Sequence, residues 1–148
     1  MTKVYSLANH ILTVALPQAL IAQFGADYIS IGGEGSYLDS VTVSISNDLF
    51  QTVGDYTGSW HHNKNLNAQG TVSVSLNQMS PQVARFKRLC NIFKNGDYDG
   101  LTLTLKTLQG TLISTAVDAY ITKIPDQAFQ TTAQSQTWSF TSGKVTIE

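Results

Sequence analysis

Charge is scarce in this chain. Asp, Glu, Lys and Arg make up 13% of its 148 residues, about half the usual share of a soluble domain. A surface so thin in charge suits a protein that buries much of it against other copies. The net charge of −1 gives no global sign of nucleic-acid binding. Cysteine is scarcer still. With Cys90 alone no internal disulfide can form, and an intracellular site of synthesis is expected. Long apolar runs are also missing. Residues 11–22, "ILTVALPQALIA", follow Lys3 as a signal peptide would. Asn9 and His10 precede the run, however, Pro17 and Gln18 split it, and no small-x-small site follows; a strand and a loop are expected instead. No stretch reaches the length of a transmembrane helix, so no membrane insertion is expected.

The scarce charge is unevenly spread. Before Lys64 the only basic side chain is Lys3, against Asp27, Glu34, Asp39, Asp48 and Asp55, whereas Arg85, Lys87, Arg88 and Lys94 cluster together. The length allows one domain with a real core, taken here as a single domain over residues 1–148.

What the chain has in abundance is period-two alternation. Val41, Val43 and Ile45 alternate with Thr42, Ser44 and Ser46. Val72, Val74 and Leu76 do so with Thr71, Ser73, Ser75 and Asn77, and Leu101, Leu103 and Leu105 with Thr102, Thr104 and Lys106. Each segment reads as a strand with one buried face and one hydroxyl face. Gln109 and Gly110 mark a tight hairpin between strands at 101–108 and 111–124. "QTWSFTS" and "KVTIE" form a last strand, interrupted by a bulge or turn at Ser142 and Gly143.

One segment changes period. In "SPQVARFKRLCNIFKNG", Ser80 suits an N-cap and Pro81 the first turn. Val83, Phe86, Leu89, Cys90 and Phe93 recur at helical spacing, and Asn95 with Gly96 supplies the stop. The expected fold is therefore mainly β with one flanking α-helix. Residues 17–37 follow neither period. They carry Leu20, Ile21, Phe24, Tyr28, Ile29 and Ile31, too apolar for a solvated loop. They form either an irregular core piece or an inter-subunit arm, and the arm is the reading carried forward for these six residues.

Chemistry is thin. In "GSWHHNKN", adjacent strand positions would aim His61 and His62 at opposite faces, so they cannot share a metal from regular β-structure. No spacing matches a zinc site. Trp60 is expected to pack, with "HHNKNLNAQG" as a loop. There is no G-x-S-x-G motif. Asp97 and Asp99 belong to a Gly-bounded turn with too few oxygens for calcium. Cys90 lies on an apolar helix stripe, where thiols are inert. The glycines at 32, 33 and 35 lack the lysine and context of a phosphate loop. No catalytic residue, metal or cofactor is assigned. Arg85, Lys87, Arg88 and Lys94 lack a stacking platform of aromatics and read as a partner-facing helix side, with Lys94 also favoured by the dipole at the helix end.

The order of elements resembles the tail tube proteins of contractile-tailed bacteriophages, in particular the small Mu-like tube family. The likeness is carried by "YSLANHILTVAL", "DSVTVSISND", "GTVSVSLNQMSPQVARFKRLCNIF" and the closing "AYITKIPDQ … TWSFTSGKVTIE". It implies two packed antiparallel β-sheets with a flanking helix, and hexameric rings whose inner sheets join into one barrel. It further implies rings stacked into a tube inside a contractile sheath, in a virion assembled in the host cytoplasm. The implied partners are further copies of the chain, the tail sheath protein, the tape-measure protein, and the baseplate and terminator proteins. Phage DNA would pass through the lumen without specific binding, for which a neutral to acidic wall is expected. A type VI secretion-like tube ring protein is a related alternative. A β-sandwich module for carbohydrate or a receptor is a different one, and its expected aromatic stripe is not evident.

Overall fold

The computed structural model describes residues 5–32 and 37–148. Lys3 and the 33–36 portion of the expected arm lie outside the described residues. Nine strands are described: β1 His10–Ala15, β2 Tyr28–Ile31, β3 Leu38–Ile45, β4 Phe50–Gly54, β5 Trp60–Lys64, β6 Gly70–Asn77, β7 Leu101–Thr107, β8 Leu112–Ile121 and β9 Ser135–Ile147. Two helices join them, α1 Gln18–Phe24 and α2 Pro81–Lys94, with a 3-10 turn at Leu7–Asn9.

Seven strands form one curled antiparallel sheet in the order β2-β1-β7-β8-β9-β6-β3, and β4 and β5 form a separate two-stranded sheet. Alternation decides which face is buried. Leu12 and Val14 of β1, Leu101 and Leu103 of β7, Trp138 and Phe140 of β9, and Val72, Val74 and Leu76 of β6 are all removed from solvent. Helix α2 covers this face. The Ser80 hydroxyl accepts from the Gln82 N–H at 3.3 Å, satisfying one orphan donor of its first turn. Val83, Phe86, Leu89 and Cys90 point into the core. Phe86 sits between Trp138 and Phe140, at centroid separations of 5.4 and 5.6 Å, the tilted contacts that aromatic quadrupoles favour.

The curl has a local cause. Along β9 the buried positions run Gln136, Trp138, Phe140, Ser142 and then Val145; along β8 they run Ser114, Ala116 and then Ala119. Both strands thus change phase at the same level, next to a register shift between β7 and β8. Asp118 adopts φ 57 there. The Ser142 hydroxyl sits 2.6 Å from the Val117 carbonyl, to which it donates, and accepts from the Lys144 N–H at 3.2 Å. Such bulges bend strands and strengthen twist.

The mainly-β class and α2 with its caps are as the sequence implies, and the interruption at Ser142 and Gly143 is this shared bulge. Three expectations change. Residues expected to form a loop after β1 make helix α1, because Pro17 fixes φ −66 ahead of helix-favouring residues and Gly25 closes the turn at φ 89. "WHHNK" is strand β5, and Trp60 is 70% exposed instead of packed. The third concerns residues 17–37. Leu20, Phe24, Ile29 and Ile31 lie in the chain's own core, so they are not surfaces awaiting a neighbour. Helix α1 presents Leu20 and Phe24 one turn apart, and β2 presents Ile29 and Ile31 on one face through pairing with Val14 and Leu12. Ile21 packs partly buried against that core, and only Tyr28 of the six stands exposed.

Candidate assembly surfaces

The sheet face turned away from α2 is rich in hydroxyls, with Lys106 beside Ile11 and Lys144 beside Val117 also on it. On β3, β6 and β9 the register aligns Ser40, Ser75 and Thr137 in one rung, Thr42, Ser73 and Ser139 in the next, and Ser44, Thr71 and Thr141 in a third. A further row crosses the other strands through Ser30, Thr13, Thr104, Thr115 and Thr146. Opposed side chains on such rungs stand about 5 Å apart, close enough for lateral contacts such as the 2.8 Å hydrogen bond between Thr122 and Thr141. The three rungs carry no charge.

The two outer strands of the sheet differ. On β2 the Ser30 carbonyl accepts from Gln82 Nε2 at 3.0 Å, so α2 closes that edge in part. On β3 the Ser46 N–H reaches back to Gln69 in the connection before β6. Strand alternation then points the backbone of Ser40, Thr42 and Ser44 at β6 and that of Val41, Val43 and Ile45 outward. Val41 and Val43 are half-buried and Ile45 is exposed, which is the reason the buried face expected for this strand is incomplete. An edge of this kind is a template for another strand.

The β4–β5 hairpin projects with every residue exposed. Its tip is locally rigid. Asp55 Oδ1 accepts from the Thr57 N–H at 2.9 Å, the Thr57 hydroxyl at 2.6 Å and the Ser59 N–H at 3.1 Å, while Gly58 takes φ 89. The Thr57 hydroxyl, foremost, and these backbone donors hold the Asp55 carboxyl below its ordinary range. Leu49, Phe50, Val53, Tyr56, Trp60 and Leu66 are uncovered. An isolated two-stranded hairpin is marginal in water, so this apolar surface calls for a partner. The turn signal "DYTG" between two short β-rich stretches is what marks it in the sequence.

The four cations of α2 have different fates. Arg85 donates to Gln82 Oε1, Lys87 to Gln127 Oε1 at 2.9 Å, and Arg88 to the Gln23 carbonyl while lying 5.2 Å from the Phe24 ring centre. Arg88 therefore ties α2 to the C-terminal end of α1. Lys94 lines a cavity of about 230 Å3 between the end of α2 and the stretch after β8.

The groups weighed for chemistry stay apart. His61 and His62 pair with Val53 and Thr52 across the hairpin, and His62 Nδ1 lies 2.8 Å from the Thr52 hydroxyl. Burial pushes the Cys90 thiol up, against a smaller opposing pull from Lys94. Among the described residues no three His, Cys, Asp or Glu side chains gather as a metal site, and no helix is long and apolar enough to cross a membrane.

Solved structures share this architecture. A chain of the sheath/tube terminator of the extracellular contractile injection system PVC superposes with a TM-score of 0.65 at 13% identity, covering 99% of this chain and 98% of that one. A chain of the PVC sheath-tube complex in its extended state gives 0.59 at 16% identity, over 97% and 90%. A chain of the anti-feeding prophage tube-terminating cap gives 0.53 at 14%, over 100% and 94%. No curated protein sequence matches it. The fold is thus one found in the tube and terminator assemblies of contractile injection systems. The chain itself belongs to the bacteriophage PhiTE tail tube protein family, whose model matches residues 13–148. It is a structural tail component.

Proposed function

We propose that this chain is the subunit of hexameric rings that stack into the tail tube of a phage, inside a contractile sheath. The observation that carries the reading is the two-sided sheet: α2 covers one face, the other is a hydroxyl lattice, and the β3 edge stands open. Closing that edge against a neighbour removes an aggregation-prone template and makes a wall continuous between subunits. The lattice then faces the lumen. Hydroxyls keep most of it wetted, and Lys106 and Lys144 are two cations on this face, too sparse a set to hold DNA tightly along the wall. The tape-measure protein occupies the same lumen before ejection. The hairpin bridges to other copies, and Tyr28 and Ile21, at the β2 end of the sheet, add contacts of their own. Arg85 and Lys94 on α2 face the sheath or an adjacent subunit, with Lys87 and Arg88 in support. Terminator and baseplate proteins close the two ends, the virion is the site of action, and assembly takes place in the host cytoplasm. The role is architectural, not catalytic.

Val43→Pro tests this. Its N–H points away from β6, so proline removes an outward donor and no ladder bond, a position where edge strands tolerate it. The variant is expected to keep its circular dichroism and sediment as a monomer. A folded variant that still builds tubes would overturn the assignment of β3 as the ring-closing edge.

A further inference from the structure

The cavity at the end of α2 has an apolar floor and a basic rim. Phe93, Ile121 and Ile124 line it beside the Tyr120 ring, and Lys94 and Lys123 are also part of its wall. Phe93 and Tyr120 meet edge to face at 5.6 Å, and the Tyr120 hydroxyl donates to the Tyr98 carbonyl at 3.0 Å, so this wall is fixed. An apolar cavity of about 150 Å3 is enough to hold a benzene; at about 230 Å3 this one takes an aromatic side chain.

The same chain carries a matching plug. At the hairpin tip Tyr56 is 101% exposed, next to Asp55. The tip turn's hydrogen bonds from Thr57 and Ser59 all fall on Oδ1 of Asp55. We propose that the tip of the β4–β5 hairpin docks into this cavity on a second copy of the chain, with Tyr56 on its apolar floor and Asp55 Oδ2 against Lys94 and Lys123. The inference rests on the reading that copies of the chain assemble. Charge complementarity selects this occupant: an aromatic beside a carboxylate meets an apolar floor beside two ammonium groups. Desolvation and then the nearby Asp118 and Asp99 raise the Tyr120 hydroxyl above its ordinary range.

Cys90 is the chain's only cysteine and is buried, so it is replaced by Ser and exposed partners are used for a direct test. The full-length Asp55→Cys, Lys94→Cys chain in the Cys90→Ser background, assembled and oxidised with copper phenanthroline, is expected to give a ladder of cross-linked chains on a non-reducing gel. The same chain with Lys94 restored is expected to give none. A ladder that persists with Lys94 restored would mean that tips meet tips, and tubes without any ladder would mean that the tip lies elsewhere; either result overturns the docking while leaving assembly intact. Absence of assembly by the unmodified chain would instead defeat the reading beneath it. Charge exchange checks the rim independently. Asp55→Lys is expected to raise the concentration needed for assembly by about tenfold or more, and Lys94→Asp with Lys123→Asp is expected to restore it. Failure of that rescue, with each variant folded by circular dichroism, would contradict the pairing.

Discussion

Gly100 and Asp118 stand backbone to backbone. A Cβ placed on Gly100 would lie 2.8 Å from the Asp118 Cα, at the bulge where Asp118 takes φ 57. The bulge bends β8, and the residue leading into β7 has no room for a side chain. Gly100→Ala is therefore expected to destabilise the fold by about 1–3 kcal/mol through forced backbone shifts. Urea unfolding of the monomeric Val43→Pro background measures it. Stability unchanged within error would show that the bulge yields freely and does not fix the curl.

The hydroxyl lattice makes a different prediction. Thr42 and Ser73 sit opposite one another on the middle rung. Thr42→Arg with Ser73→Arg places two guanidinium groups per subunit on the proposed lumen wall. Tubes are expected to form as before but to retain short double-stranded DNA at low salt and release it as salt rises, the signature of phosphate binding. Tubes of the double variant that ignore DNA would place this face away from the lumen.

The tip turn should respond to acid with a definite sign. The Thr57 and Ser59 donors lower the Asp55 carboxyl from its ordinary 3.8. Its contribution to the turn is therefore complete above that value and is lost only as pH falls through the lower folded one. NMR of the Asp55 carboxyl and the Thr57 amide in the monomeric variant is expected to show one shared titration below 3.8. A midpoint above it would mean that the turn does not hold the carboxylate.

The parts of the fold that show in the sequence are those with one buried face. Val72, Val74 and Leu76 alternate because their β6 side chains meet α2 across the core, and Ser80 with Pro81 announces that helix through its own cap. Residues 17–31 blur because a helix, a turn and a strand share so few residues. Leu20 and Phe24 keep helical spacing and Ile29 and Ile31 keep strand spacing, so no single period covers both. The hairpin hides for the opposite reason. Both faces of β4 and β5 are exposed in the single chain, so no core imposes alternation, and Trp60 looks like a core residue out of context. The hydroxyl faces of the strands are legible one by one. Their alignment into rungs depends on register, which strand patterns do not contain.

The most direct test is cryo-electron microscopy of the purified chain at high concentration and near-physiological salt. Six-fold rings stacked into tubes are expected, with Ser73 and Thr42 facing the lumen, α2 outside, and the β3 edge paired to a neighbouring subunit. A protein that stays monomeric, or tubes with α2 on the inner wall, would contradict the proposed role.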